Sequence, residues 1–256
     1  MGLFKFILKK AVPIPKFNNY QKFLFIGPHP DDIEIGAGAT VAKLTSMGKE
    51  VKFLVCTDGR YGIDKEGIDV KKAVEIRQEE AKNAAKLLGV KEIEFLPYSD
   101  GGKYDVKELT DSITKVICNY QPDIIFAPDP KVISELHIDH INTGESAGFA
   151  FLASTISKQM REENLNASKV TAIAFYFTDK PNTTYKITKQ QVKLQQNAIR
   201  QHVSQFPEGS IELKGISTYL TLRQIRYGFT SLKGRADCFR VLGLTHSHCA
   251  PESANF

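Results

Sequence analysis

Short runs of apolar residues alternate with longer amphipathic segments along most of this chain. The apolar runs are rich in Phe, Ile, Leu and Val, and they lie at 22–27, 51–56, 92–96, 123–127 and 172–177. The segments between the first four runs carry apolar side chains at helical spacing over roughly ten to nineteen residues. This alternation is typical of βαβ units around a parallel sheet. We therefore predict an α/β fold, namely a Rossmann-like, doubly wound, mostly parallel sheet with helices on both faces.

The chain is long enough to fold around a hydrophobic core without a disulfide or a structural metal. Of its 256 residues, 42% are hydrophobic and 25% are charged, which excludes an intrinsically disordered protein. Residues 1–20 hold an apolar and basic segment followed by Pro13 and Pro15, and we predict them to form an N-terminal arm. Packing of this arm on its own domain is favoured over contact with a membrane surface or a subunit. Residues 21–256 are predicted to form a single α/β domain.

The sequence does not indicate a nucleic-acid or membrane partner. Its net charge of +5 is spread along the chain without a block of like charges. No stretch approaches the roughly 18 consecutive apolar residues of a membrane-spanning helix, and the start lacks the features of a signal peptide. The four cysteines are far apart and form no CxxC motif, which favours reduced thiols in a cytoplasmic protein. A homo-oligomer is compatible with these features.

A histidine and two aspartates follow the first predicted strand directly. The segment reads His29-Pro30-Asp31-Asp32. If a helix begins at Pro30, a residue that suits the first helical position, His29 and Asp32 lie about one turn apart and converge on one point. Asp31 then points elsewhere, toward the open side of that point.

A second histidine cluster follows the fourth predicted strand. His137 and His140 are three residues apart, with Asp139 between them, and can face the same way on a first helical turn. In the common strand order of a doubly wound sheet, strand 1 lies beside strand 4, and ligands bind in the crevice at their carboxyl ends. We therefore expect the two clusters to meet there. Helix N-terminal acids and loop histidines would explain either cluster alone, but not both at adjacent strand ends.

The residue types of the two clusters indicate a catalytic metal. Two imidazoles and one carboxylate with an open fourth position are typical of catalytic zinc, and Fe²⁺ can use the same ligands. A bound zinc ion can lower the pKa of water to about 7. A carboxylate that is not a ligand can act as general base, and a further histidine can stabilise an oxyanion. Together the clusters supply every part of a metal-assisted hydrolysis.

Both motifs resemble those of a known family. His29-Pro-Asp-Asp32 with the following Ile35-Gly36-Ala37-Gly38, together with His137-x-Asp-His140, is similar to the PIG-L/LmbE-like N-acetylglucosaminyl deacetylases over residues 21–205. The resemblance implies a zinc-dependent hydrolase that removes an acetyl group from an N-acetylated amino sugar or its conjugate. It implies metal ligation by His29, Asp32 and His140.

The same resemblance implies roles for five further residues. Asp31 would be the general base, His137 would stabilise the oxyanion or act as an acid, and Asp139 would hold His137 charged and oriented. In similar proteins, residues at the positions of Arg77 and Asp100 contact the sugar. The expected partner is thus a small amino-sugar substrate, whose identity the sequence does not specify.

Two other functions remain open at the level of sequence. A metal-dependent phosphoesterase would need more carboxylate ligands, for which Asp58 and Asp129 are candidates. A non-catalytic nucleotide-binding module of Rossmann type would need a glycine-rich turn after the first strand, where this chain has His-Pro-Asp-Asp. The sequence gives no clear role to three other histidines, His202, His246 and His248.

Overall fold

The computed structural model describes residues 3–63 and 66–248. The strands are β1 Lys22–Gly27, β2 Glu50–Thr57, β3 Glu92–Tyr98, β4 Ile124–Pro128, β5 Ala172–Tyr176, β6 Thr183–Lys186 and β7 Ala236–Gly243. The helices are α1 Leu3–Ala11, α2 Asp32–Ser46, α3 Val70–Leu87, α4 Val106–Tyr120, α5 Ile138–Ala153, α6 Ser157–Glu162, α7 Lys189–Ile199, α8 Ile211–Thr230 and α9 Leu244–His248.

All seven strands lie in one sheet with the order β3-β2-β1-β4-β5-β7-β6. The first five strands pair in parallel, and β7 is antiparallel to both β5 and β6. The predicted parallel α/β fold is confirmed, and so is the placement of β1 beside β4. Because β4 lies on the opposite side of β1 from β2, the chain reverses direction between them, and this switch point opens a crevice at the strand ends.

The two faces of the sheet are buried in separate apolar layers. Phe25 of β1 stacks on Phe126 of β4 with ring centroids 4.2 Å apart, on the face covered by α2 and α7. Leu24 and Ile26 point to the other face, which α4 and α5 cover. Burial on both faces explains why the predicted strands read as continuous apolar runs rather than as alternating ones.

Two strands of this sheet were not predicted. β6 has only four residues, three of them polar, and β7 follows the long helix α8 near the end of the described residues. β7 alternates buried and half-buried positions only in its second half. An antiparallel edge pair of this kind takes its stability from pairing with β5, which the local sequence does not show.

Part of the predicted N-terminal arm belongs to the core. Phe17 is buried and its ring lies 5.1 Å from that of Phe126, in edge-to-face contact. Its burial against β4 ties the end of the 1–20 segment to the sheet. The division of the chain into an arm and one domain otherwise stays a prediction.

Across residues 3–63 and 66–248, no helix combines the length and the apolar character needed to cross a membrane.

Candidate active site

The turn after β1 has a strained backbone. α2 begins at Asp32 rather than at Pro30, because Asp31 takes a φ of +131°, outside the helical region. A non-glycine residue in such a conformation costs on the order of 1–3 kcal/mol and persists only where its surroundings hold it. Strain of this kind concentrates at functional sites, and here it falls between the two residues that were predicted as metal ligands.

Close packing brings the start of α2 against the sheet. A methyl group at Gly36 would lie 2.3 Å from Cδ2 of Tyr176, so only glycine fits at this position. The Tyr176 hydroxyl donates a hydrogen bond of 2.8 Å to the carbonyl oxygen of Ile26, at the end of β1. These contacts fix the first turn of α2 over the ends of β1 and β5.

Three of the predicted residues converge on one point at the switch point. His29 Nδ1 lies 3.0 Å from Asp32 Oδ2, and His140 Nε2 lies 3.4 Å from Asp32 Oδ1. One donor atom from each of the three residues lies within 4.8 Å of the others. Tetrahedral zinc with ligand bonds of about 2.0–2.2 Å separates its ligand atoms by about 3.3–3.6 Å. The chemistry and the spacing of this donor set therefore fit a divalent metal ion.

A second set of groups surrounds the other nitrogen of His29. Its Nε2 lies 3.2 Å from Asp100 Oδ1 and 3.2 Å from Asp139 Oδ2. Burial lowers the pKa of His29, but Asp100, Asp139 and Asp32 outweigh this and raise its pKa to about 12. The negative charge of these carboxylates thus stabilises a proton on His29. A metal ion bound in place of that proton would be stabilised by the same charge.

The carboxylate of Asp139 makes contacts that differ from the expected one. It accepts hydrogen bonds of 2.8 Å from the Gly101 and Gly102 amides and from the Tyr104 hydroxyl. Its Oδ2 lies 3.7 Å from His137 Nδ1, which is too long for a hydrogen bond. In this structure Asp139 therefore orients His29 and the turn after β3, rather than His137.

His137 lies at the open side of the crevice. Its ring is exposed and lies 4.6 Å from the ring of His29. As the N-cap of α5, its Nδ1 accepts a hydrogen bond of 3.3 Å from the Asp139 amide. An acceptor Nδ1 places the only ring proton on Nε2, so in this arrangement His137 donates a hydrogen bond to a substrate as a neutral ring rather than as the charged ring that was expected.

Asp31 is buried and paired, although the sequence suggested that it faces the open side. It is 8% exposed, and its Oδ2 lies 3.1 Å from Nη2 of Arg77, which is 3% exposed. Burial raises the pKa of Asp31 to about 6, and the positive charge of Arg77 opposes this rise. Arg77 also donates hydrogen bonds to the carbonyl oxygens of Pro30 and Gly59. These bonds connect the ends of β1 and β2 around Asp31.

Two contacts of His140 were not predicted from the sequence. Glu135 Oε2 lies 3.1 Å from His140 Nδ1 and would fix the ring so that Nε2 faces Asp32. Phe177 stacks on the same ring, with centroids 6.0 Å apart and an angle of 8°. The acidic residue five positions before His140 was a usable signal for the first contact. No sequence pattern connects β5 with His140.

The three histidines left without a role all lie outside the metal-donor groups found among the described residues. His246 Nδ1 accepts a hydrogen bond of 3.1 Å from the Gly243 amide at the start of α9, which is a local structural contact. His202 is fully buried, and its Nε2 lies 3.5 Å from Glu34 Oε1. His248 ends α9, and neither it nor His246 belongs to the metal-donor groups found among the described residues.

Comparisons with known proteins identify the family of this chain. The PIG-L family, described as GlcNAc-PI de-N-acetylase, matches residues 24–152. A diacetylchitobiose deacetylase of Thermococcus kodakarensis is 35% identical over 240 residues, which cover 92% of this chain and 88% of that protein. A probable N-acetyl-alpha-D-glucosaminyl L-malate deacetylase 2 of Bacillus anthracis is 25% identical and covers 77% of this chain and 86% of its own.

The fold agrees as well. The N,N'-diacetylchitobiose deacetylase from Pyrococcus horikoshii, solved with its inhibitor MPG, superposes with a TM-score of 0.87. It is 34% identical, and the alignment covers 97% of this chain and 94% of the other. The family match takes in both histidine clusters and the crevice between them. This chain belongs to the PIG-L family.

Proposed function

We propose that this protein is a zinc-dependent deacetylase that hydrolyses the acetamide group of an N-acetylglucosamine-type sugar or its conjugate. The observation that carries the proposal is the convergence of His29, Asp32 and His140 beside the buried pair of Asp31 and Arg77. The names of the relatives described above indicate that those proteins deacetylate N-acetylated sugars, which supports the same substrate class for this protein.

His29, Asp32 and His140 would hold the ion. A divalent zinc ion bound by such residues lowers the pKa of water to about 7 and polarises a carbonyl oxygen. Glu135 and Asp139 orient the two histidines from outside this set, each through a ring nitrogen. Fe²⁺ can use the same ligand types, so the experiment below compares protein loaded with each of the two metals.

The chain's own residues supply the acid–base chemistry. Asp31 accepts a proton from the water whose oxygen attacks the acetamide carbonyl carbon. His137 donates a hydrogen bond from Nε2 to the carbonyl oxygen as negative charge develops on it. The C–N bond then breaks, the amine takes up the proton, and acetate and the free amino sugar are released. Arg77 and Asp100 are buried, and their side chains contact Asp31 and His29 respectively. Contact of either residue with the sugar stays a proposal.

Two contacts argue against the phosphoesterase alternative. The additional carboxylates that it would need already have partners, because Asp129 is bound by Arg240 and Asp58 by Arg60. The nucleotide-binding alternative also loses support, since the turn after β1 presents carboxylates where a phosphate would need amide groups.

A panel of N-acetylated sugars tests the proposal. Purified protein is loaded with Zn²⁺ or Fe²⁺ and incubated with N-acetylglucosamine, its disaccharide and inositol-linked or malate-linked forms, and released free amine is measured. We expect amine and acetate in equal amounts from at least one substrate, with Asp31→Asn as the inactive control. Metal-loaded protein that releases amine from none of these substrates would contradict the proposal.

A further inference from the structure

A fully buried histidine lies behind the proposed base without a role in the chemistry described above. His202 is 0% exposed, and within the described part of the chain neither ring nitrogen has a hydrogen-bond partner. Its Nε2 lies 3.5 Å from Oε1 of Glu34, an oxygen that also lacks a hydrogen bond there. Glu34 sits in the first turn of α2, three residues after Asp31. Burying such a pair is costly, so its position calls for an explanation.

Two residues later, the same segment binds α3. The Ser204 amide and hydroxyl donate hydrogen bonds of 2.8 Å and 2.6 Å to the two carboxylate oxygens of Glu80. Glu80 follows Arg77 by three residues on α3, so both side chains leave the same face of that helix. Ser204 therefore holds α3 one turn from the guanidinium that contacts Asp31.

The next residue binds the third element around this pair. Gln205 Nε2 donates a hydrogen bond of 2.6 Å to the carbonyl oxygen of Gly62, in the turn after β2. A methyl group at Gly62 would lie 2.0 Å from Arg77 Nη1 and 2.7 Å from Gln205 Oε1. The guanidinium and the Gln205 side chain thus enclose the same point above Gly62.

We propose that His202, Ser204 and Gln205 form a clamp, here called the 202–205 clamp, that positions Asp31 and Arg77. Each residue of the clamp contacts one of the three elements that meet at this pair: His202 contacts α2 through Glu34, Ser204 binds α3, and Gln205 binds the turn after β2. The proposal rests on the proposed function, because it takes Asp31 to be the general base. A residue with a φ of +131° must be held from outside, and the clamp supplies that support.

Displacement of a catalytic group by about 1 Å can cost on the order of 100-fold in rate. We therefore expect His202→Gln, Ser204→Ala and Gln205→Ala each to lower kcat by roughly 10- to 100-fold, with KM and metal content nearly unchanged. Because removal of the His202 ring can unfold the protein, Ser204→Ala gives the same test with a single hydroxyl group removed from a half-buried position.

Thr45→Val provides the matched control. The Thr45 hydroxyl donates a hydrogen bond of 2.6 Å to the carbonyl oxygen of Leu88, and so connects the far end of α2 with the end of α3. Each of the two substitutions, Thr45→Val and Ser204→Ala, removes one hydroxyl group that is hydrogen-bonded to α3 or to the residue that follows it. Only Ser204 lies near Asp31. We expect Thr45→Val to keep kcat within about twofold of the original protein.

A double-mutant cycle separates positioning of Asp31 from general weakening of the fold. In an Asp31→Asn background the base is already lost, so adding Ser204→Ala should change the residual kcat by less than about twofold. Equal losses of kcat in both backgrounds would overturn the clamp, as would full kcat in all three clamp variants. Failure of the proposed function is distinguished from this result, because the original protein would then release amine from none of the N-acetylated sugars. Failure of the base assignment is seen as full activity of Asp31→Asn alone.

Discussion

The guanidinium of Arg77 lies 3.1 Å from the carboxylate of Asp31, and both side chains are almost fully buried. The pair joins α3 to the turn after β1, next to the residues that converge on the proposed metal position. A buried carboxylate without this partner would be strongly driven toward its protonated form. The arrangement keeps Asp31 able to accept a proton while holding it away from bulk water.

Replacing Arg77 with methionine should move the acidic limb of the pH–activity profile to higher pH. Burial raises the pKa of Asp31 to about 6, and Arg77 lowers it. Without that positive charge the pKa of Asp31 rises further, so the carboxyl stays protonated, and unable to act as a base, up to a higher pH. The measurement is kcat between about pH 5 and 9. Arg60→Met, which removes an arginine paired with Asp58, should leave the limb in place. An unchanged limb in Arg77→Met contradicts the assignment of Asp31.

Removing any one of the three proposed ligands should abolish metal binding. We expect about one equivalent of divalent metal in the original protein and almost none in His29→Ala, Asp32→Ala or His140→Ala, by elemental analysis after dialysis. His246→Ala, a histidine outside the donor groups, is the matched control and should keep the metal. Chelation should abolish deacetylation, and added Zn²⁺ should restore it. Full metal occupancy in all three variants would contradict this assignment of the ligands.

Asp31→Asn should separate chemistry from metal binding. The amide keeps the size of the side chain but cannot accept the proton of water, so kcat should fall by roughly 10²–10⁴-fold with little change in KM. Metal content should not change, because Asp31 belongs to neither of the metal-donor groups found among the described residues. Near-full activity of this variant at saturating metal would show that the assigned mechanism is wrong.

His137→Ala should lower kcat by roughly 10²–10³-fold through the loss of a hydrogen-bond donor to the oxyanion. Its Nδ1 accepts from the Asp139 amide, so Nε2 carries the donated proton in the neutral ring. His137→Gln, whose amide can also donate, should recover part of this loss. Equal activity of the glutamine and alanine variants would count against the donor role.

Alanine at Gly62 should disturb the site, whereas alanine at Gly215 should not. The new methyl group at Gly62 would lie 2.0 Å from Arg77 Nη1, so the guanidinium must move and kcat should fall. At Gly215, inside α8, no atom lies within 4 Å of the added carbon. Gly215→Ala should therefore raise the free energy of unfolding by about 0.5–1 kcal/mol and leave kcat unchanged. Denaturant titration and steady-state kinetics measure the two effects, and normal kcat in Gly62→Ala would contradict the packing described.

The sequence alone determined the parallel α/β core and the two clusters at its switch point. Strands buried on both faces must be apolar throughout, and parallel strands place their ends at one edge, so local patterns were enough to bring His29 and His140 together. The order of β1 and β4 followed from the topology common to such sheets. The strands β6 and β7 could not be predicted in this way, since β7 depends on pairing with β5, and β6 at the edge depends on pairing with β7.

Only the tertiary structure decided which groups surround these residues. Asp31 meets Arg77 across 46 positions of sequence, and His29 meets Asp139 across 110. Contacts between residues so far apart in the sequence depend on how α3 and α5 pack on the sheet. No local sequence spacing predicts that packing. The strained backbone at Asp31 and the burial of His202 likewise result from three elements closing around one point. The residue types at the strand ends are thus a local property of the sequence, whereas their charge, orientation and support arise from packing between distant segments.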